Sequence, residues 1–85
     1  MPKSVFTDAY ASMLEILVAL RKKQGLTQVE LSKRLGKPQP FVSYVERGVR
    51  RVDVIEFYAI VRALGADPVA VFEQVARALP RRVQI

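Results

Sequence analysis

The feature that most constrains the fold is a pair of helix-start signals that recurs in the middle of the chain. In TQVE, Thr27 can cap a helix while Glu30 reaches back to the cap, and Asp53 with Glu56 repeats this arrangement in DVIE. Such a capping box satisfies backbone N–H groups that the start of a helix leaves without partners. No segment shows the alternation of apolar and polar residues that is typical of a half-buried strand. The sequence therefore predicts an all-α fold.

Five helices follow from the apolar periodicity and its interruption by glycine and proline. They are predicted at about 8–24, 28–35, 40–47, 54–64 and 68–79. Gly25 and Gly65 end two of them, because glycine adopts positive φ freely. Pro68 suits the first position of the last helix. An 85-residue chain has room for one modest core. We therefore predict a single domain over 1–85, with a central helix pair at about 27–47 and a C-terminal helix and tail at 67–85.

Positive charge is concentrated in about one third of the chain. Between Arg21 and Arg51 there are nine basic and two acidic residues, so this basic window has a net charge of +7. The other residues include five basic and six acidic ones, for a net charge of −1. A diffuse basic excess can serve solubility alone. A concentrated one is what binding to a polyanion requires.

The composition argues against several classes of chemistry. The chain has no cysteine and no histidine, so thiol catalysis, disulfides, Cys/His zinc sites and histidine base catalysis are not expected. Most acidic residues are explained as helix caps, and no glycine-rich phosphate loop is visible. We expect no enzyme activity, no cofactor and no metal.

The apolar run AYASMLEILVAL contains Glu15 and is too short to span a bilayer, so we expect a soluble cytoplasmic protein without membrane contact.

Two prolines stand close together at the start of the third helix, in GKPQPFVSYVERG. Proline there removes no helical hydrogen bond, because the first N–H groups of a helix have no partner within it. Pro38 can hold the preceding turn, and Pro40 can take the first or second helical position. Because the residue before proline disfavours the α region, Gln39 is a candidate for the N-cap.

Two short helices joined by a turn at Gly36 suggest a helix-turn-helix, and three motifs make this more specific. GLTQ at the second helix, ERG after the third and ALG before the fifth closely resemble the Cro/repressor (Xre-type) family of DNA-binding proteins. The resemblance covers roughly residues 17–72. It implies a five-helix, lambda-repressor-like domain whose third helix lies in the major groove of double-stranded DNA.

The resemblance also implies which side chains face the bases. They would be Gln39, Pro40, Ser43 and Tyr44. Pro40 departs from the family, because this position often carries a polar residue, whereas proline offers at most an apolar surface to a thymine methyl group. Base reading then falls mainly to Gln39, which can bind adenine bidentately, and to Tyr44 and Ser43. Tyr44 could instead be a surface aromatic that packs over the helix.

Further residues are expected to contact phosphates, which position the protein without specifying sequence. Gln28 resembles a family glutamine that contacts phosphate and braces Gln39, the first residue of the recognition helix. The other expected phosphate contacts are basic: Lys37, Arg47, Arg50 and Arg51.

A buried ion pair between Arg21 and Glu46 is also implied by the resemblance. Glu46 lies near the C-terminus of the third helix, where the helix dipole opposes an acid, so it needs a partner. The alternative is two unrelated surface charges.

The fifth helix is broadly apolar for a terminal element, which suggests a homodimer, since large exposed apolar patches are uncommon on monomers. The first helix, with Val5 and Val18 beside its main stripe, could join the interface; the alternative is a wide core within one chain. A two-fold dimer would place the recognition helices about 34 Å apart on a pseudo-palindromic operator. The predicted interface consists of the 80–85 tail and four residues of the fifth helix: Val71, Phe72, Val75 and Leu79.

These observations indicate a sequence-specific, double-stranded DNA-binding transcriptional regulator and favour a repressor. The alternative is a protein-interaction module of the same fold, such as an antitoxin with a toxin partner or a restriction-modification controller. A toxin-like or restriction-modification gene beside this one would favour those roles.

Overall fold

The computed structural model describes residues 7–85, and the part of the predicted domain before Thr7, including Val5, lies outside this range. Five α-helices and no strand are present in residues 7–85, which confirms the predicted all-α fold. Each helix begins and ends within about two residues of its predicted bounds. The helices are α1 (Asp8–Lys23), α2 (Gln28–Arg34), α3 (Phe41–Glu46), α4 (Val54–Ala63) and α5 (Pro68–Ala78).

Both capping boxes are formed, and they fix where α2 and α4 begin. Thr27 Oγ1 accepts a hydrogen bond from the N–H of Glu30 at 3.0 Å, and Glu30 Oε1 accepts one from the N–H of Thr27 at 2.8 Å. In α4, Asp53 Oδ1 accepts from the N–H of Glu56 at 2.7 Å, and Glu56 Oε1 accepts from the N–H of Asp53 at 3.0 Å. Because hydrogen bonds favour the ionised carboxylate, the bond from the Thr27 backbone lowers the pKa of Glu30.

The start of α3 differs from the prediction. Pro40 is the N-cap residue, with φ −81° and ψ 1°, and the prediction that Gln39 caps the helix is wrong. The N–H of Phe41 donates to the carbonyl oxygen of Pro38 at 3.0 Å, which closes a turn before the helix. The first helical bond then runs from the N–H of Tyr44 to the carbonyl of Pro40 at 3.0 Å. Proline before and after Gln39 thus keeps this residue in the turn.

The core is shared by all five helices. Helix α5 packs against α1 and α4, and α2 packs against α3 and α4. The inner face of α3 is therefore held in place while its outer face remains at the surface. The buried apolar residues are Leu14, Leu17, Leu31, Phe41, Val42, Val45, Phe57, Ile60, Val61, Leu64, Val71 and Val75.

Within residues 7–85, no helix combines the length and the apolar character needed to cross a membrane. In the same range, no group of three or more acidic side chains is placed to hold a metal ion.

Candidate nucleic-acid interface

Helix α3 has two chemically different faces. Phe41, Val42 and Val45 are buried, so one side of this six-residue helix belongs to the core. On the other side, Tyr44 is 43% exposed, and the preceding turn exposes Gln39 and Pro40, while Ser43 is half-buried. The four residues predicted to contact bases therefore lie on one helix and its leading turn, and three of them are well exposed.

Ser32 of α2 holds the start of α3, a function that the sequence analysis missed. The residue has no solvent exposure. Its Oγ donates to the carbonyl oxygen of Gln39 at 3.2 Å and accepts from the N–H of Val42 at 3.2 Å. Since Pro40 has no side chain that can cap, Ser32 satisfies an N–H group at the start of α3 from outside that helix. A serine inside a helix gives no sequence signal for such a contact.

Arg21 and Glu46 form an ion pair that joins the end of α1 to the end of α3. Arg21 Nε donates to Glu46 Oε2 at 2.6 Å, and Nη2 donates to Oε1 at 3.1 Å, which is the bidentate geometry of a strong pair. The two side chains are only 10% and 11% exposed. The remaining arm of Arg21, Nη1, donates to the carbonyl oxygen of Leu26 at 2.7 Å. The contact that the resemblance implied is therefore present in the structure.

Gln28 joins this pair instead of bracing Gln39. Its Nε2 donates to Glu46 Oε1 at 2.8 Å, and no hydrogen bond links it to Gln39 in the described structure. An ionised carboxylate is a stronger acceptor than a neutral amide, which explains the preference. Because the amide nitrogen carries two hydrogens, Gln28 keeps a second donor in addition to the one that Glu46 binds.

The charge of the basic window is carried by residues at the surface. Arg21 and Glu46 both belong to the window and neutralise each other inside the fold, so the net charge of +7 remains with the others. The other eight basic residues and Glu30 are all exposed. The fold thus leaves the positive excess where a polyanion could reach it.

Several cations lie over aromatic rings on and beside α3. Lys37 Nζ is 5.5 Å from the ring centroid of Phe41, and Arg47 Cζ is 5.3 Å from that of Tyr44. Arg51 Cζ is 4.4 Å from the ring centroid of Tyr10. Such contacts restrict long basic side chains before a ligand arrives, which reduces the ordering cost of binding.

Arg50 has a different environment, since it is paired with a carboxylate of the chain itself. Its Nη2 lies 2.8 Å from Glu56 Oε2. This hydrogen bond raises the pKa of Arg50 and lowers the pKa of Glu56, because each charge stabilises the other. Part of the charge expected to meet phosphate is thus already compensated.

Two of the four predicted interface residues lie in the core of the single chain. Val71 is 5% exposed and Val75 is 2% exposed, so neither can meet a partner. Apolar periodicity marks the buried face of α5, but it does not say that α1 and α4 of the same chain cover that face. Phe72 is 56% exposed, and Leu79 packs partly against the core.

The apolar surface that remains spans two neighbouring helices. The ring of Phe72 on α5 meets the ring of Phe57 on α4 edge-on, with the ring centroids 6.0 Å apart. A groove of about 410 Å³, lined by residues of both helices, lies beside this contact. We call the large exposed apolar residues of these two helices the α4–α5 patch: Val54, Ile55, Tyr58, Val69 and Phe72.

Comparison with known sequences agrees with this geometry. The helix-turn-helix family model matches residues 17–71. The uncharacterized HTH-type transcriptional regulator y4dJ of Sinorhizobium fredii is 44% identical over 50 residues, which are 59% of this chain and 65% of that protein. The match therefore spans slightly less than two thirds of the length of this relative.

Solved structures show the same arrangement of helices. An XRE-family-like protein from Pseudomonas syringae pv. tomato is 42% identical and superimposes with a TM-score of 0.81, over 86% of this chain and 89% of its own. The wild-type restriction-modification controller protein C.Esp1396I superimposes with a TM-score of 0.76 over 85% of this chain and 94% of its own. At 19% identity, the likeness to the controller shows the fold alone.

Proposed function

Because this chain belongs to the XRE-type (Cro/repressor) helix-turn-helix family of regulators, we propose that it is a sequence-specific, double-stranded DNA-binding transcriptional repressor that works without a cofactor. The observation that best supports this function is the division of α3 into a buried face and a polar outer face among exposed cations. A helix held in this way can enter a major groove without unfolding any of the core. Repression is the simplest mode of control, since occupancy of a promoter needs no further contact.

Base reading is assigned to the outer face of α3 and its leading turn. Gln39 would donate to N7 and accept from N6 of one adenine, while Ser43 and Tyr44 would bond neighbouring base edges through their hydroxyl groups. Pro40 would contact a thymine methyl group. The exposure of Gln39, Pro40 and Tyr44 supports these assignments.

Phosphate binding is assigned to Lys37, Arg47 and Arg51, with a contribution from Arg50 and Gln28. The hydrogen bond from Gln28 to Glu46 supports its role, because it fixes the amide nitrogen and leaves one hydrogen for a phosphate oxygen. These contacts give affinity and register, whereas the base contacts give specificity.

We further propose that the chain works as one helix-turn-helix domain in a cytoplasmic homodimer. A core shared by helices from both ends of the sequence supports the single domain. The α4–α5 patch supports the dimer, because five large apolar side chains exposed on two neighbouring helices are uncommon on a monomer of this size. The proposed partner surface consists of Phe72 and the rest of this patch, together with Leu79 and the tail. A two-fold pair would bind a pseudo-palindromic operator with half-sites about 34 Å apart.

Selection of bound fragments from random duplex DNA tests the proposed function. We expect enrichment of a pseudo-palindrome, and we expect Gln39→Ala to weaken binding to it by about 1–3 kcal/mol with little effect on scrambled DNA. Arg51→Ala serves as the matched control, since the loss of a phosphate contact should weaken binding to both DNAs alike. A pool without enrichment after several rounds would contradict the proposed function, and equal losses for Gln39→Ala on both DNAs would contradict its role as a base reader.

A further inference from the structure

The loop between α3 and α4 contains an ion pair that phosphate binding does not explain. Arg50 Nη2 lies 2.8 Å from Glu56 Oε2, and the side chains are 42% and 25% exposed. Arg50 Nη1 also donates to the carbonyl oxygen of Arg51 at 3.0 Å. Two separate acceptors thus hold the guanidinium group in one plane. A flexible surface arginine has no such restraint.

The guanidinium group lies against the first residue of α3. Arg50 Cζ is 4.9 Å from the ring centroid of Phe41, within the range of a cation–π contact. Phe41 is only 8% exposed and directly follows Pro40. Its ring therefore anchors the turn that carries Gln39 and Pro40, and Arg50 covers that ring from the loop side.

The partner of Arg50 is itself held in place. Glu56 occupies the third position of α4 and uses its other oxygen, Oε1, to accept from the N–H of Asp53 at 3.0 Å. Helix α4 is anchored in the core through Phe57 and Ile60. Because hydrogen bonds from Arg50 and Asp53 lower the pKa of Glu56, its carboxylate stays ionised at neutral pH. A continuous set of contacts thus runs from α4 to the start of α3.

We propose that Arg50 is a positioning residue, which Glu56 and the Arg51 carbonyl hold against Phe41 so that α3 presents Gln39 at a fixed angle. This inference rests on the proposed function, because the angle of α3 matters only if α3 reads bases. It makes sequence specificity depend on Glu56, a carboxylate that phosphates repel. A small rotation of α3 would misplace the two hydrogen bonds from Gln39 to a base. The long side chains that contact phosphates would follow such a movement and keep their contacts.

Glu56→Gln separates positioning from general electrostatics, because only the positioning role predicts a change in the ratio between specific and non-specific affinity. Glutamine at the third helical position preserves the capping box, so only the charged partner of Arg50 is lost. If Arg50 acts only through its charge, the variant should bind all DNA more tightly, with a salt slope steeper by about 0.9. If Arg50 positions α3, the affinity ratio between the selected site and scrambled DNA should fall by roughly two- to fivefold, the effect of a partly exposed ion pair.

Glu73→Gln is the matched control. It makes the same substitution in another arginine–glutamate pair, since Glu73 Oε2 lies 2.8 Å from Arg77 Nη2 on α5, far more exposed at 62% and 78%. We expect its affinity ratio to equal that of the wild type. Thermal unfolding of each variant sets a temperature at which all are fully folded, so that a loss of stability cannot imitate a loss of specificity.

Arg50→Lys provides a second test that keeps the charge. Lysine lacks the flat fork that binds two acceptors and stacks on a ring, so the ratio should fall as it does in Glu56→Gln. An unchanged or raised ratio in Glu56→Gln would overturn the inference. The wild type is measured first: if it prefers no selected sequence, the proposed function fails and the inference fails with it, whereas a specific wild type with equally specific variants contradicts the inference alone.

Discussion

At the scale of single residues, the candidate site consists of side chains that face solvent and side chains that hold them there. Gln39 and Tyr44 are exposed and are assigned to bases, whereas Ser32 and Glu46 are assigned to the fold. Ser32 bonds both the carbonyl of Gln39 and the N–H of Val42, so it controls the turn from which α3 starts. The residues that support the site are therefore as informative as those that would touch DNA.

Ser32→Ala should lower the free energy of unfolding by about 1–3 kcal/mol, because it leaves the Val42 N–H buried without an acceptor. Urea unfolding followed by circular dichroism measures the change. Ser12→Ala is the control, since its hydroxyl group bonds only the Asp8 carbonyl of its own helix at 3.1 Å, and we expect a change within about 0.5 kcal/mol. Equal stability of Ser32→Ala and the wild type would show that Ser32 does not cap α3.

At the scale of helices, the features that depend on contacts between residues close in the sequence were the ones predicted best. Thr27 and Asp53 begin α2 and α4 as predicted, because a capping box involves residues only three apart. The Arg21–Glu46 contact spans 25 positions and could be expected only through the family resemblance. The cap that Ser32 provides depends on how α2 meets α3, and nothing in the local sequence indicates it.

The same distinction explains the predictions that failed. Whether Gln39 or Pro40 caps α3 depends on the turn that Pro38 closes, which shifts the helix start by one residue. Val71 and Val75 were expected to meet a partner because they are apolar, but periodicity cannot tell the core of one chain from an interface between two. Partner choice is a property of the assembled helices.

Glu46→Ala should destabilise the fold by about 3–5 kcal/mol, because it strands the buried charge of Arg21 between α1 and α3. The loss of the Gln28 contact adds to this effect. Chemical denaturation measures it, and Glu73→Ala, which breaks a largely exposed pair on α5, should change stability by less than about 1 kcal/mol. Similar values for the two variants would mean that the Arg21–Glu46 pair does not hold α3 in place.

At the scale of the whole molecule, two surfaces of different chemistry stand out. The basic window exposes eight cations, whereas the α4–α5 patch exposes apolar side chains. Polyanion binding and self-association can therefore use separate parts of the chain. Their combination in a two-fold dimer would double the contacts to DNA and make binding depend on protein concentration.

If the chain dimerises as proposed, Phe72→Glu should convert the dimer into monomers, because it places a charge in the centre of the apolar contact. Sedimentation velocity at micromolar concentration measures this change. Gln74→Glu introduces a charge at a neighbouring exposed position of α5 and should leave the dimer intact. A wild type that sediments as a monomer, with operator affinity unchanged in Phe72→Glu, would contradict the dimer.

We propose that this fold reads DNA sequence in addition to a general attraction to phosphate. The most direct measurement is the affinity of the wild type for its selected operator and for a scrambled duplex of equal length, from about 50 to 200 mM salt. We predict that both affinities fall steeply, with log K changing by about 0.9 per phosphate neutralised for each unit of log salt. We also predict that the operator stays tighter by about a thousandfold or more throughout. Equal affinities for the two duplexes at every salt concentration would contradict the account.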